Sequence, residues 1–227
     1  MSVVTGILES SKKDGRYVIQ VDGKPFATVS LDLLGRFGLS IGRALDETMR
    51  EALADESAAL ATYDRALNML AFQPRSSRDL RRRLIQKGEL EPHVDAAIAR
   101  LEANGLLDDA QFARQFSRSR VLGAGASKRR LQQELFKRGV ARETADAAIS
   151  EVLVDEQVDE GELVERAAEK KMRSLAKLDP ATRRRRLYAF LARKGYDGAA
   201  IRSAMQKVLD SAEAAEADDE LLGVEDE

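Results

Sequence analysis

Ser127-Lys128-Arg129-Arg130-Leu131-Gln132-Gln133-Glu134-Leu135-Phe136-Lys137-Arg138-Gly139-Val140 reads as one short helix with both ends marked. Leu131 and Leu135 stand four apart and so share one helix face. Ser127 can cap the start by accepting a hydrogen bond from a free backbone N–H. Gly139 can supply the left-handed residue that stops the helix. A second amphipathic helix follows, opened by Arg142-Glu143-Thr144 and carrying Ala145, Ala148, Ile149 and Val152 at helical spacing.

The same unit recurs on both sides. Aligned on Gly88, Gly139 and Gly195, the leucine pairs Leu80/Leu84, Leu131/Leu135 and Leu187/Leu191 stand eight and four residues before the glycine. Six after it come Val94, Ala145 and Ile201; nine after it, Ala97, Ala148 and Ala204. Ten after it come Ile98, Ile149 and Met205; thirteen after it, Leu101, Val152 and Val208. The glycines lie 51 and 56 residues apart, which predicts tandem helical repeats near the long end of the solenoid range.

The composition suits such units. Of 227 residues, 33% are charged and 44% hydrophobic, as expected where small bundles expose much surface. There is no Cys, which removes disulfides and thiolate chemistry. No apolar run is long enough to span a bilayer, and no basic region followed by an apolar stretch opens the chain, so a cytoplasmic protein is expected. The net charge of −2 conceals an asymmetry: residues 210–227 hold nine acids and no base, which leaves the body at 37 basic against 30 acidic side chains. A basic body calls for a polyanionic or acidic-surface partner, and the acidic tail either competes for that surface or serves solubility alone.

In chain order, residues 1–54 are expected to form a small β meander plus a short helix. The strands are Val3–Leu8, Tyr17–Val21 and Phe26–Leu31, joined by turns at Lys13-Asp14-Gly15-Arg16 and Asp22-Gly23. Gly35, Gly38 and Gly42 then interrupt the chain, and a short helical pattern through Leu45, Met49 and Leu53 ends near Ala54. Three-helix repeats occupy 55–106, 107–158 and 159–212. Ser77 and Asp179 are the expected caps of the second helix in the first and third repeats, with Pro180 in the first turn of the latter. Residues 213–227 read as a disordered acidic tail. The fold class is therefore mainly α: three tandem three-helix repeats in a curved array after an N-terminal meander.

The residue types of an active site are sparse. His93 is the one histidine, placed at a helix start after Pro92, where a surface or capping role is expected. No nucleophile motif accompanies it, and neither metal-ligand clusters nor Walker spacing occur. No enzyme, cofactor or metal is expected.

What remains is cationic. Two residues before the first leucine stand Arg78, Arg129 and Arg185; one before the glycine stand Lys87, Arg138 and Lys194. At 100° per residue the first column projects roughly 160° from the leucines, opposite the core. The candidate contact residues are Arg78, Arg82 and Lys87, then Lys128, Arg129, Arg130, Lys137 and Arg138, then Arg185, Arg186 and Lys194.

These residues resemble the RecX family, the regulators of the RecA recombinase, over about residues 60–210. The likeness rests on Gly105-Leu106-Leu107-Asp108-Asp109-Ala110-Gln111-Phe112-Ala113, on Ser119-Arg120, on Arg129 through Leu135, and on Arg138-Gly139-Val140. The family often has Gly-Pro before the paired basic residues, where this chain has Ser127-Lys128. The resemblance implies a non-enzymatic, monomeric modulator of recombination, DNA repair and the SOS response. It would bind the RecA–DNA filament in its groove and inhibit ATPase, strand exchange and coprotease activities. The alternative from another class is a direct binder of single- or double-stranded DNA, since three-helix units are akin to helix-turn-helix modules. A plain scaffold protein leaves the arginine columns unexplained.

Overall fold

The computed structural model describes the backbone of residues 2–11 and 13–222, and the side chains of these through residue 211. It divides into two compact units, Met1–Asp108 and Asp109–Glu227.

The first unit opens with strands β1 (Ser2–Glu9), β2 (Arg16–Val21) and β3 (Lys24–Ser30), then helix α1 (Leu31–Arg36) and strand β4 (Ala44–Leu45). The antiparallel sheet has the order β3-β2-β1-β4. The β2–β3 hairpin turns at Asp22-Gly23, both at positive φ (50° and 78°), the type I′ geometry whose twist matches the strands. The sequence reading missed β4, which spans two residues, and α1, where Ser30 caps a helix that runs through Gly35.

Helix α2 (Glu47–Phe72) is one continuous helix of 26 residues, not two stretches broken near Ala54. Its sequence around that point, Leu53-Ala54-Asp55-Glu56, has neither Pro nor Gly to break it. Leu53 and Leu60 join the sheet core of Val4, Ile19, Val29 and Leu45. Farther along, Tyr63 and Ala66 join a second core with α3 (Ser77–Gln86) and α4 (Glu91–Ala103), built on Leu80, Leu84, Val94, Ala97 and Leu101. The boundary expected at 54/55 thus falls inside a helix shared by meander and first repeat. Asp64 fastens the arrangement, accepting from Arg16 at 2.7 Å and pairing with Lys13 at 2.8 Å. His93 is buried, with Nε2 2.9 Å from Asp55 Oδ1, so it ties α4 to α2 instead of lying at the surface.

The second unit comprises α5 (Asp109–Ala124), α6 (Lys128–Lys137), α7 (Arg142–Asp155), α8 (Glu160–Arg173), α9 (Pro180–Arg193) and α10 (Gly198–Leu222). A single core runs through it, from Ala113 and Leu131 to Leu187, Ile201 and Leu209. The second and third repeats therefore bury one another's apolar faces. A polar seam accompanies that core. Ser127 Oγ donates to the Lys194 carbonyl at 3.0 Å, Tyr196 donates to the Gly125 carbonyl at 2.7 Å, and the Lys194 ammonium donates to the Ala124 carbonyl. Burial raises the Tyr196 phenol to about 12, so it stays a donor at any physiological pH.

The helix expected to end near Ala212 continues to Leu222. Ala212 to Leu222 is rich in Ala, Glu and Leu, the strongest helix formers, so the backbone of the acidic segment up to that point is helical. Residues 223–227, the rest of the expected tail, lie outside the described residues.

Candidate basic interface

The candidate site rests on three equivalent helices, α3, α6 and α9. Each begins at a side-chain cap: Ser76 accepts from the Asp79 amide, Ser127 from the Arg130 amide and Asp179 from the Thr182 amide. The first cap is Ser76 and not Ser77, whose hydroxyl donates instead to Glu102 at 2.7 Å. Gly88, Gly139 and Gly195 end the three helices at φ of 86°, 85° and 89°. In the first two a Schellman bond closes the end, Glu89 N–H to the Leu84 carbonyl and Val140 N–H to the Leu135 carbonyl. All six repeat leucines are fully buried.

With the leucines inward, helix geometry turns the first basic column outward. Arg78, Arg129 and Arg185 are all exposed. Among the described residues none of the three takes part in an ion pair. Arg186, Lys87 and Lys137 are likewise exposed and unpaired among the described residues.

The other candidates are committed to the fold to differing degrees. Arg82 pairs with Asp79. Lys128 is half-buried, its backbone N–H donating to Glu160 Oε1 at 2.9 Å. Arg130 donates from Nε to Glu134 at 2.8 Å, and Arg138 donates to the Glu134 carbonyl at 2.8 Å while its guanidinium lies 4.3 Å from the Phe116 ring centre. Lys194 sits 5.4 Å from the Phe190 ring, and burial together with Lys170 nearby lowers its ammonium below the ordinary lysine value. The column one residue before the glycine therefore splits: Lys87 faces solvent, whereas Arg138 and Lys194 pack on aromatic rings.

Two carboxylates that the sequence reading passed over organise this chemistry. Glu134 gathers Arg120, Arg130 and Arg138. Asp79 gathers Arg75 and Arg83 at 2.9 Å each, plus Arg82. Their signal was present as acid–arginine spacings of three and four on α3 and α6. Burial would push the Asp79 carboxyl up, but the hydrogen bonds from Arg83 and Arg75 outweigh it and hold the group below the usual carboxylate range. A carboxyl so lowered contributes stability that is fully present above its unfolded value, near 3.8, and lost as pH falls through the folded value. Asp79→Asn is expected to lower stability at neutral pH by about 2 kcal/mol, through loss of charge-assisted bonds. The deficit should shrink below about pH 4, where the wild-type carboxyl protonates. Urea unfolding at neutral and acid pH measures both; an equal deficit at the two pH values would contradict the assignment.

Other features offer little to chemistry. An open crevice of about 490 Å³ is lined by Glu165, Glu169, Met172, Arg173, Arg183 and Lys207 among others, and its Glu165 is paired with Lys207. Among the described residues no cluster of His, Cys, Asp or Glu could hold a metal ion, and no helix is long and apolar enough to cross a membrane.

Fold and surface together define a class: tandem three-helix repeats that keep one arginine column free at the surface. Comparison with known proteins agrees. Models of the first, second and third RecX three-helix domains match residues 63–101, 108–149 and 159–205, more than half of the chain. A regulatory protein RecX from Pelodictyon phaeoclathratiforme is 35% identical over 62% of this chain and 84% of its own length. One from Oceanobacillus iheyensis is 28% identical over 100% of this chain and 84% of its own length. Among solved structures, a regulatory protein RecX superposes with a TM-score of 0.71 at 24% identity, covering 92% of this chain and 100% of the other. RecX from Lactobacillus salivarius gives a TM-score of 0.57 at 21% identity, covering 69% and 98%. The chain belongs to the RecX family, whose curated members are named regulatory proteins.

Proposed function

We propose that this chain is a non-enzymatic, monomeric cytoplasmic regulator that binds the RecA–DNA filament and inhibits its ATPase, strand-exchange and coprotease activities. One observation carries the reading: the same repeat position holds an exposed arginine without an ion pair in α3, α6 and α9. An ordinary solvated face has no reason to keep that residue type at that position three times. Arginine's planar fork bonds phosphate or carboxylate bidentately, which suits a filament offering both. The RecA partner itself comes from the family resemblance.

A second reading has a specific observation behind it. Tyr188 on α9 is 44% exposed and follows the run Arg183-Arg184-Arg185-Arg186. An exposed aromatic ring beside unpaired arginines is a platform for an unstacked base, which favours direct binding of single-stranded DNA. The two readings separate in a salt titration with naked single-stranded DNA and with RecA–DNA filaments. The filament reading expects tighter binding to filaments and suppression of RecA ATPase at protein concentrations that leave naked DNA unbound. Equal affinity for both, with the same steep salt slope, would favour the direct binder.

A further inference from the structure

Phe136 breaks the repeat. The position three before the glycine holds Ile85 in the first repeat, half-buried against its core, and Ala192 in the third. In the second repeat it holds a phenylalanine that is 73% exposed. The core of this unit does not use that ring: its neighbour Leu135 turns inward and is fully buried. Beside it opens a groove of about 360 Å³ between α6 and α7, lined by the buried Val140 and Ala145 and by Gln132 and Gln133. The Gln132 amide is committed to Asp146, the one carboxylate lining the groove, at 2.7 Å.

The rim is cationic. Arg142 has a side chain 85% exposed and reaches Asp146 only at 3.7 Å. Lys137, the residue after Phe136, is exposed and unpaired among the described residues. We propose that this groove docks an acidic peptide segment of a partner protein that carries one large apolar side chain. Phe136, Val140 and Ala145 receive that side chain, and Lys137 and Arg142 meet the flanking carboxylates. The charges are complementary, with two rim cations against one carboxylate already held by Gln132 and Arg142. A nucleobase is the poorer fit, because its polar edges would face Val140 and Ala145, which offer only carbon. The inference does not rest on the filament reading, and neither Arg78, Arg129 nor Arg185 enters it.

The test pans the full-length chain against displayed random short peptides, then measures a synthetic peptide of the enriched consensus. The expected consensus is a Leu, Ile or Phe flanked by Asp and Glu. Phe136→Ala should weaken that peptide about tenfold or more, as for an anchor residue, with the helical circular dichroism unchanged. Arg142→Glu should weaken it as well, and Phe72→Ala, at another exposed phenylalanine, should leave it unchanged. No enrichment, a neutral or basic consensus, or binding indifferent to Phe136→Ala would overturn the proposal. So would oligothymidylate that displaces the peptide and itself loses binding in Phe136→Ala, which would reassign the groove to nucleic acid. Enrichment seen only after deletion of residues 213–227 would assign the groove to the chain's own acidic tail instead of a partner.

Discussion

Replacing Gly195 by alanine is expected to destabilise the second unit by about 3 kcal/mol, whereas the same change at the equivalent Gly88 costs about 1 kcal/mol. Both glycines have left-handed backbones, φ 89° and 86°, so the conformational penalty is common to the two. The surroundings differ. A Cβ at Gly88 meets nothing within 4 Å, but at Gly195 it would lie 2.7 Å from Ser127 Oγ, 3.1 Å from Arg130 Cβ and 3.3 Å from the Arg130 amide. Ser127 cannot retreat cheaply, because its hydroxyl both caps α6 and donates to the Lys194 carbonyl. Losing such a cap alone costs about 1 kcal/mol. Hydrogen exchange should show the loss in the second unit, at α6 and α9, without change in α3 and α4. Equal costs at the two glycines would mean that the seam between the second and third repeats yields easily.

Neutralising Arg78, Arg129 and Arg185 together is expected to weaken filament inhibition roughly a hundredfold, at about 1 kcal/mol per charge-assisted contact. Stability should change little, within about 0.5 kcal/mol per site, because all three are exposed without ion pairs. If the arginines meet phosphate, the salt slope should fall by about one unit for each contact removed. If they meet carboxylates on RecA, binding to naked DNA should fall far less than binding to filaments. A folded triple variant that still inhibits like the wild type would place recognition on another face. Arg130 and Arg138 make poor choices for this experiment. Both clamp Glu134, so their loss would disturb folding and contact at once.

The helices that carry the arginines were legible in the sequence because everything that defines them is local. Ser127 caps the amide three residues on, Leu131 and Leu135 share a face by spacing alone, and Gly139 adopts the left-handed backbone that stops the helix. The outward direction of Arg78, Arg129 and Arg185 follows from the same periodicity once the leucines point inward. The carboxylate clamps at Asp79 and Glu134 were half-legible, since their arginines lie three or four residues away on one helix or follow a helix end.

Only tertiary structure decided the rest, because the determinants lie far apart in the chain. Nothing local says that α2 continues through residues 54 and 55; its continuity serves two apolar cores, one on the sheet and one on α3 and α4. Nothing in a repeat taken singly says that the second and third share a core, since each leucine face needs burial but does not name its partner. Identical columns also acquired different surroundings. Lys87 stayed in solvent, Lys194 reached the Ala124 carbonyl 70 residues away and Arg138 covered Phe116. Residue type and helical spacing determined which side chains leave the repeat cores, while the neighbours that packing brought from elsewhere in the chain determined which of their charges remain free.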